Sequence, residues 1–260
     1  MSEKLLILLP PSETKTDGGN SLFPSASRWS ELDPIREEIT RDLVTLSQSN
    51  EAAAAKALKI SAKLAEIELT RNQQLLDAPP LKAAVERYTG VLYDALDAAS
   101  LTQVQRQWLE EHVAIHSALY GLVGAGDGIA AYRLSHNSKL AGESLKARWR
   151  DAISDALAEH PGPILDLRSK GYVDLGPLPE SVRGAWGNVA ERQPDGSLRS
   201  LNHFNKQAKG QFVRLLAQRL AGTANEPLTL EALSAVVAPE FEVYRDQEAT
   251  VNIVRHHPQA

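Results

Sequence analysis

The sequence predicts a mixed α/β (α+β) fold, a single compact domain over residues 1–260 with a central sheet surrounded by helices. Three observations lead there. Apolar residues make up 43% and charged residues 23% of 260, an ordinary globular balance with enough material for a substantial core. An unbroken apolar run, "LLILL" at 5–9, has the pattern of a strand buried on both faces, and "ILDLRS" at 164–169 is a second strand candidate. Longer amphipathic stretches separate them, bounded by prolines, glycines and capping residues.

Taken in order, the first strand stops at Pro10-Pro11 and gives way to a glycine- and serine-rich loop running to about Ser27. Asp33 is the expected N-cap of a helix to Leu46, with Pro34 in its first turn. "SQSN" breaks it, and Asn50 caps an alanine-rich helix over 51–69. After Ala78-Pro79-Pro80, "LKAAVERYTGVLYDALDAAS" is helical apart from an interruption near Gly90. Thr102 caps a further helix, or a helix running into a strand, that ends on Gly121. Residues 140–159 form another amphipathic helix, stopped by Pro161-Gly162-Pro163. "VRGAWGNVAER" and "SLRSLNHF" around Pro194-Asp195-Gly196 read as a hairpin, 205–221 as a helix, and "EFEVYRDQEATVNIVRH" as two strands.

Composition excludes several chemistries. There is no cysteine, so disulfides, thiolate metal sites, iron–sulfur clusters and cysteine nucleophiles are impossible. Met1 is the only methionine, which removes oxidant sensing through sulfur from the interior. A net charge of −5 argues against a generally basic surface while leaving room for a local basic patch. The N-terminal apolar run is too short for a secretory signal or for a membrane span of about 20 residues, so the expectation is a cytoplasmic chain without membrane contact.

Ser12 and Lys15 stand where a buried strand leaves the core, the kind of crevice that ligands occupy in α/β proteins. Ser12 has no G-x-S-x-G elbow around it. In "NKQAKGQFVR", 205–214, Lys206 and Lys209 share a helix face with Gly210 beside them and Arg214 nearby. Like charges at that spacing and a helical glycine costing about 1 kcal/mol are explained by a docked anion, or by a solvated basic face with a tolerated glycine. In "HSALYGLVGAGDGIAAYRL", 116–134, Gly121, Gly124, Gly126 and Gly128 read as a tight flexible loop holding Asp127, without dinucleotide spacing. Tyr132-Arg133 follows, a ring beside a cation that suits anion or base recognition, or else a core tyrosine beside an ion-paired arginine. His112 and His116, i and i+4 on a helix, lack a third donor, and no metal or cofactor is expected. The helices about "SQSN" raise a helix–hairpin–helix, but "LKISAKLAEI" lacks the glycine of such a hairpin, and two packed helices explain it equally.

The ordered set "PPSETK", "LKISAKLAEI", "YTGVLY", "SALYGLVGAGDGIAAYRL", "LDLRSKGY", "NKQAKGQFVR" and "NIVRH" resembles the YaaA family of bacterial peroxide-stress proteins over nearly the whole chain. The resemblance implies a helix-hairpin-helix-like element, a role in limiting damage from hydrogen peroxide and free iron, and binding of double-stranded DNA. It also marks Ser12, Lys15, Tyr88, Tyr93, Tyr120, Gly121, Asp127, Tyr132, Arg133, Ser169, Tyr172, Lys206, Lys209 and Gly210 as the recurring polar and glycine positions. Three motifs depart from it: "PSETK" inserts Glu13-Thr14, "GAGDG" keeps Asp127 without an arginine, and "DLRS" brings in Asp166 and Arg168. Two readings stay open. One is a stress protein binding DNA through a basic patch. The other is an enzyme acting on a nucleotide, nucleobase or DNA lesion in a Lys/Tyr/Arg-lined anion pocket, with Lys15, Lys206 or Lys209 reactive, Lys15 and Lys209 being the catalytic candidates.

Overall fold

Strand β1 (Leu6–Leu9) is buried on both faces and paired in parallel on both edges, which accounts for its unbroken apolar sequence. Its neighbours are β3 (Val113–Ser117) and β6 (Ile164–Asp166), through Ile7 opposite Val113 and Leu6 opposite Ile164. The computed structural model describes residues 3–20, 22, 28–193, 198–199, 202–224, 226–247 and 250–256. The distal part of the loop to Ser27 and the Pro194-Asp195-Gly196 turn lie outside them.

Before β3 the chain forms α1 (Asp33–Ser47), α2 (Glu51–Leu58), α3 (Ala62–Gln73), the short β2 (Lys82–Ala83), α4 (Ala84–Arg87), α5 (Val91–Leu96) and α6 (Gln103–His112). Beyond it come β4 (Gly121–Gly124), β5 (Gly128–Ile129) and α7 (Leu145–Ala158), and after β6 come α8 (Lys170–Val173), β7 (Gly184–Arg192) and β8 (Leu198–Arg199). The chain continues with α9 (Asn202–Leu220), α10 (Leu230–Val237), β9 (Phe241–Arg245) and β10 (Val251–Arg255). The main sheet runs β4-β3-β1-β6-β7-β10-β9, with β8 paired to β7 off this path. Its centre is parallel, and β4 and β9 are antiparallel at the ends. β2 and β5 make a separate antiparallel pair. Among the described residues no helix is long and apolar enough to cross a membrane.

The predicted α/β mixture is the observed one, with local corrections. Asn50 caps α2 by accepting from the Ala53 N–H, and Thr102 caps α6 in a reciprocal box with Gln105. Asp33 is not a cap: it is the first residue of α1, and its carboxylate pairs with Arg36 at 2.7 Å. The helix expected over 51–69 is two, because Lys59 adopts a left-handed φ of 56° and breaks it after Leu58. The glycine stretch 121–128 is not a flexible loop but two strands, β4 and β5, joined by a short turn. His116 and Ser117 end β3, and Gly121–Gly124 is a buried strand, so His112 and His116 do not share a helix face. α10 was not anticipated.

Candidate anion-binding cleft

After Pro10-Pro11 the chain turns across the carboxyl end of β1 and makes a one-residue antiparallel bridge, Lys15 to Tyr88. Thr89 N–H donates to the Thr14 carbonyl at 3.2 Å and Thr16 N–H to that of Arg87 at 2.9 Å, fixing the segment 14–16 against 87–89. Arg87 is fully buried and spends its guanidinium on the carbonyls of Thr16, Pro80 and Ile129. That clamp places Lys15 under the surface. Its Nζ donates to the Ser12 and Glu13 carbonyls at 3.1 Å each and lies 4.1 Å from the centre of the Tyr132 ring. Burial, then the Arg133 charge, lowers this amine to about 7.

Beneath it runs a directed hydroxyl chain. Ser117 Oγ accepts from the N–H groups of Leu119 and Tyr120, so its own proton goes to Tyr132 Oη, 2.7 Å away. Tyr132 Oη in turn meets Tyr88 Oη at 2.9 Å. Burial above all pushes both phenols well above the usual range, so they act as neutral hydrogen-bonding groups. Tyr93 donates to the Pro10 carbonyl at 2.8 Å and pins the proline turn.

Over this floor opens a cleft of about 480 Å³. Pro10–Thr14 form one wall, Thr89, Gly90 and Tyr93 another, Ser135, His136, Ser169 and Tyr172 a third, and Asn205, Lys206 and Lys209 of α9 close it. Gly210 explains how α9 comes so near: a Cβ there would lie 2.1 Å from the Leu92 carbonyl of α5. Lys209 is 6% exposed, and burial, partly offset by Asp166, lowers it to about 8. Lys206 is exposed. Among the described residues neither lysine has a hydrogen-bonding or ion-pairing partner.

The family model of the peroxide stress protein YaaA matches residues 5–247. The chain belongs to that family. It is similar to a UPF0246 protein of Corynebacterium efficiens, 45% identical over 232 residues that cover 85% of this chain and 89% of the relative. A UPF0246 protein of Corynebacterium glutamicum is 39% identical over 252 residues, covering 91% and 95%. One of Streptomyces coelicolor is 36% identical over 236 residues, covering 85% of each.

In this YaaA-family chain the residues singled out from sequence divide into groups. Ser12, Tyr93, Ser169, Lys206 and Lys209 line the cleft together. Ser12 has no adjacent base: its hydroxyl donates to the Thr14 carbonyl and accepts from the Thr89 N–H. Lys15, Tyr88 and Tyr132 form the floor. Arg133 faces the cleft rim through Glu13, at 2.9 Å. Four expected ligand groups do not line this cleft. Asp127 accepts from the Gly124 N–H and shapes the β4–β5 turn. Tyr120 lines a different cavity, beside Arg36 and Leu81. Arg214 donates to the Leu96 and Asp97 carbonyls, and Gly210 admits a helix backbone rather than an anion.

Arg168 is also committed. Fully buried, it forks onto both Asp166 oxygens at 2.8 and 2.6 Å and donates through Nη1 to His116 Nδ1 at 2.8 Å. A guanidinium only donates, so His116 accepts at Nδ1 and carries its proton on Nε2. Burial first, and then Arg168, holds the ring well below the usual imidazole range. Sequence reasoning missed Thr89, Ser135, His136 and Asn205. Thr89 and Asn205 lay inside the quoted "YTGVLY" and "NKQAKGQFVR", and Ser135 follows directly on "AAYRL", but no spacing marked any of them as a wall of the cleft. Among the described residues no group of three histidines or carboxylates is arranged to hold a metal.

Proposed function

We propose that this chain serves the peroxide-stress role of its family, in the cytoplasm, by binding a small phosphate-bearing, nucleotide-like ligand in the cleft. The observation that carries this reading is the pair Lys206 and Lys209, two lysines that have no partner among the described residues, on the wall of a cleft of about 480 Å³. A cavity of that size suits a mononucleotide, with phosphate at the α9 lysines and a base against Tyr93 and Tyr172. Ser12, Thr89, Ser169 and Asn205 make the rest of the lining polar and uncharged. An enzyme acting on such a ligand fits better than a passive binder, because an amine lowered by burial faces the space. Limiting free iron is then a downstream result of the ligand chemistry.

Double-stranded DNA is the second reading, favoured by Lys206, which stands exposed on the cleft wall within reach of a phosphate outside it. Calorimetry with adenosine and guanosine monophosphates, set beside anisotropy with a labelled duplex between about 50 and 200 mM salt, separates the two. The expected result is mononucleotide binding that drops at least about tenfold in Lys206→Ala/Lys209→Ala, a loss of about 1.4 kcal/mol. Duplex binding alone, collapsing with salt, moves the assignment to DNA.

A further inference from the structure

We infer that Lys209 is a reactive amine that condenses with the aldehyde or ketone group of a phosphate-bearing ligand in the cleft. The inference rests on the anion-cleft reading and deepens it by naming the substrate class, a phosphorylated carbonyl compound.

The choice between the two buried lysines follows from what their nitrogens touch. Lys15 Nζ is saturated by two backbone carbonyls and the face of Tyr132, and its side chain belongs to the floor. Lys209 lines the cavity and, among the described residues, bonds to nothing. Asp166, whose charge Lys209 senses, is itself locked onto Arg168 by two hydrogen bonds and is not available as a close partner. Lys206, three residues earlier and exposed, is the lysine placed to meet the phosphate. The wall thus offers one exposed lysine for the phosphate and one buried lysine for the carbonyl carbon. His136 faces the same cavity, and burial, then Lys59, holds its ring below the usual imidazole value, so it is a neutral proton carrier near pH 7.

The step balances without any further reagent. The Lys209 nitrogen lone pair forms a bond to the carbonyl carbon, and the carbonyl oxygen takes a proton to give a carbinolamine. The carbon–oxygen bond then breaks and leaves as water, with the nitrogen supplying the electron pair of the C=N bond. His136 is placed to pass the protons, and hydrolysis reverses the sequence.

The test treats the native protein with pyridoxal 5′-phosphate, an aldehyde carrying phosphate, reduces with borohydride and maps the modified lysines by peptide mass. The same protein is titrated with inorganic phosphate by calorimetry. The expected adduct is at Lys209, formed roughly tenfold faster than at exposed lysines such as Lys56 and Lys63, slowed by phosphate and by use of pyridoxal without its phosphate. Lys209→Arg keeps the charge and abolishes the fast phase. Equal labelling of surface lysines, or a fast adduct at Lys15, overturns the inference. Phosphate binding without a Lys209 adduct sinks the carbonyl chemistry and leaves the anion cleft standing. Absence of both removes the two together.

Discussion

At the scale of single residues, Lys15 ties local chemistry to stability. Its amine sits at about 7 in the folded protein, against 10.5 for an ordinary lysine. Between those values the unfolded chain holds a proton that the folded chain has released, so stability rises with pH across this window and is flat below it. A single such group sets a slope of at most about 1.4 kcal/mol per pH unit. Lys209 adds its own slope only above about 8. Denaturant titrations of native protein and Lys15→Met at pH values from about 6 to 9 are therefore expected to diverge in slope from about 7 upward. Parallel curves would show that the buried nitrogen titrates alike in both states. The residues of the floor were only half legible: a strand end followed by Ser12 and Lys15 pointed to a crevice, but the bridge to Tyr88 is a contact across 73 positions, beyond any local pattern.

At the scale of elements, the seam between α5 and α9 decides whether a cleft exists. Gly210 lies where a Cβ would meet the Leu92 carbonyl at 2.1 Å and the Leu96 amide at 2.9 Å, backbone atoms that cannot rotate away. Gly210→Ala gains up to about 1 kcal/mol of helix propensity, but overpacking a core contact costs about 1–3 kcal/mol and more where backbone is struck. The clash wins. Chemical denaturation is expected to show a net loss of about 1–2 kcal/mol, together with weaker ligand binding as α9 and its lysines move outward. Unchanged stability would mean the helices slide apart freely. The sequence showed that this glycine was costly and suggested an anion as the reason. The reason is a second helix, which no spacing along "NKQAKGQFVR" records. The helix caps at Asn50 and Thr102 were legible because capping is local. The strand β4 was not, because "GLVG" reads as a loop until β3 is set beside it.

For the molecule as a whole, composition and function meet in what is missing. With no cysteine and Met1 as its only methionine, the chain presents no sulfur in its interior to an oxidant. Exposure to millimolar hydrogen peroxide is expected to leave the melting temperature unchanged and to add no more than one oxygen to the intact mass, at Met1. A fall in melting temperature after such treatment would point to oxidation of a buried ring and contradict the expectation. The fold class and the family were legible across the whole chain, since they rest on the order of many motifs. The walls of the cleft were less so, because they come from segments near residues 12, 89, 136, 169 and 206 that only the sheet brings together.

The placement of β1 also bears on how the chain comes to be folded. Leu6–Leu9 pairs on one edge with β3 and on the other with β6, so its second neighbour is complete only once Asp166 has been made. At about 5–20 residues per second, that leaves the apolar segment waiting roughly 8–30 seconds on a ribosome with an unpaired edge. Native contacts of such long range close slowly. Synthesis, rather than the finished molecule, is therefore the stage at which this protein is most exposed to misassociation, and a chaperone that shields the nascent N-terminal segment would act at the right time.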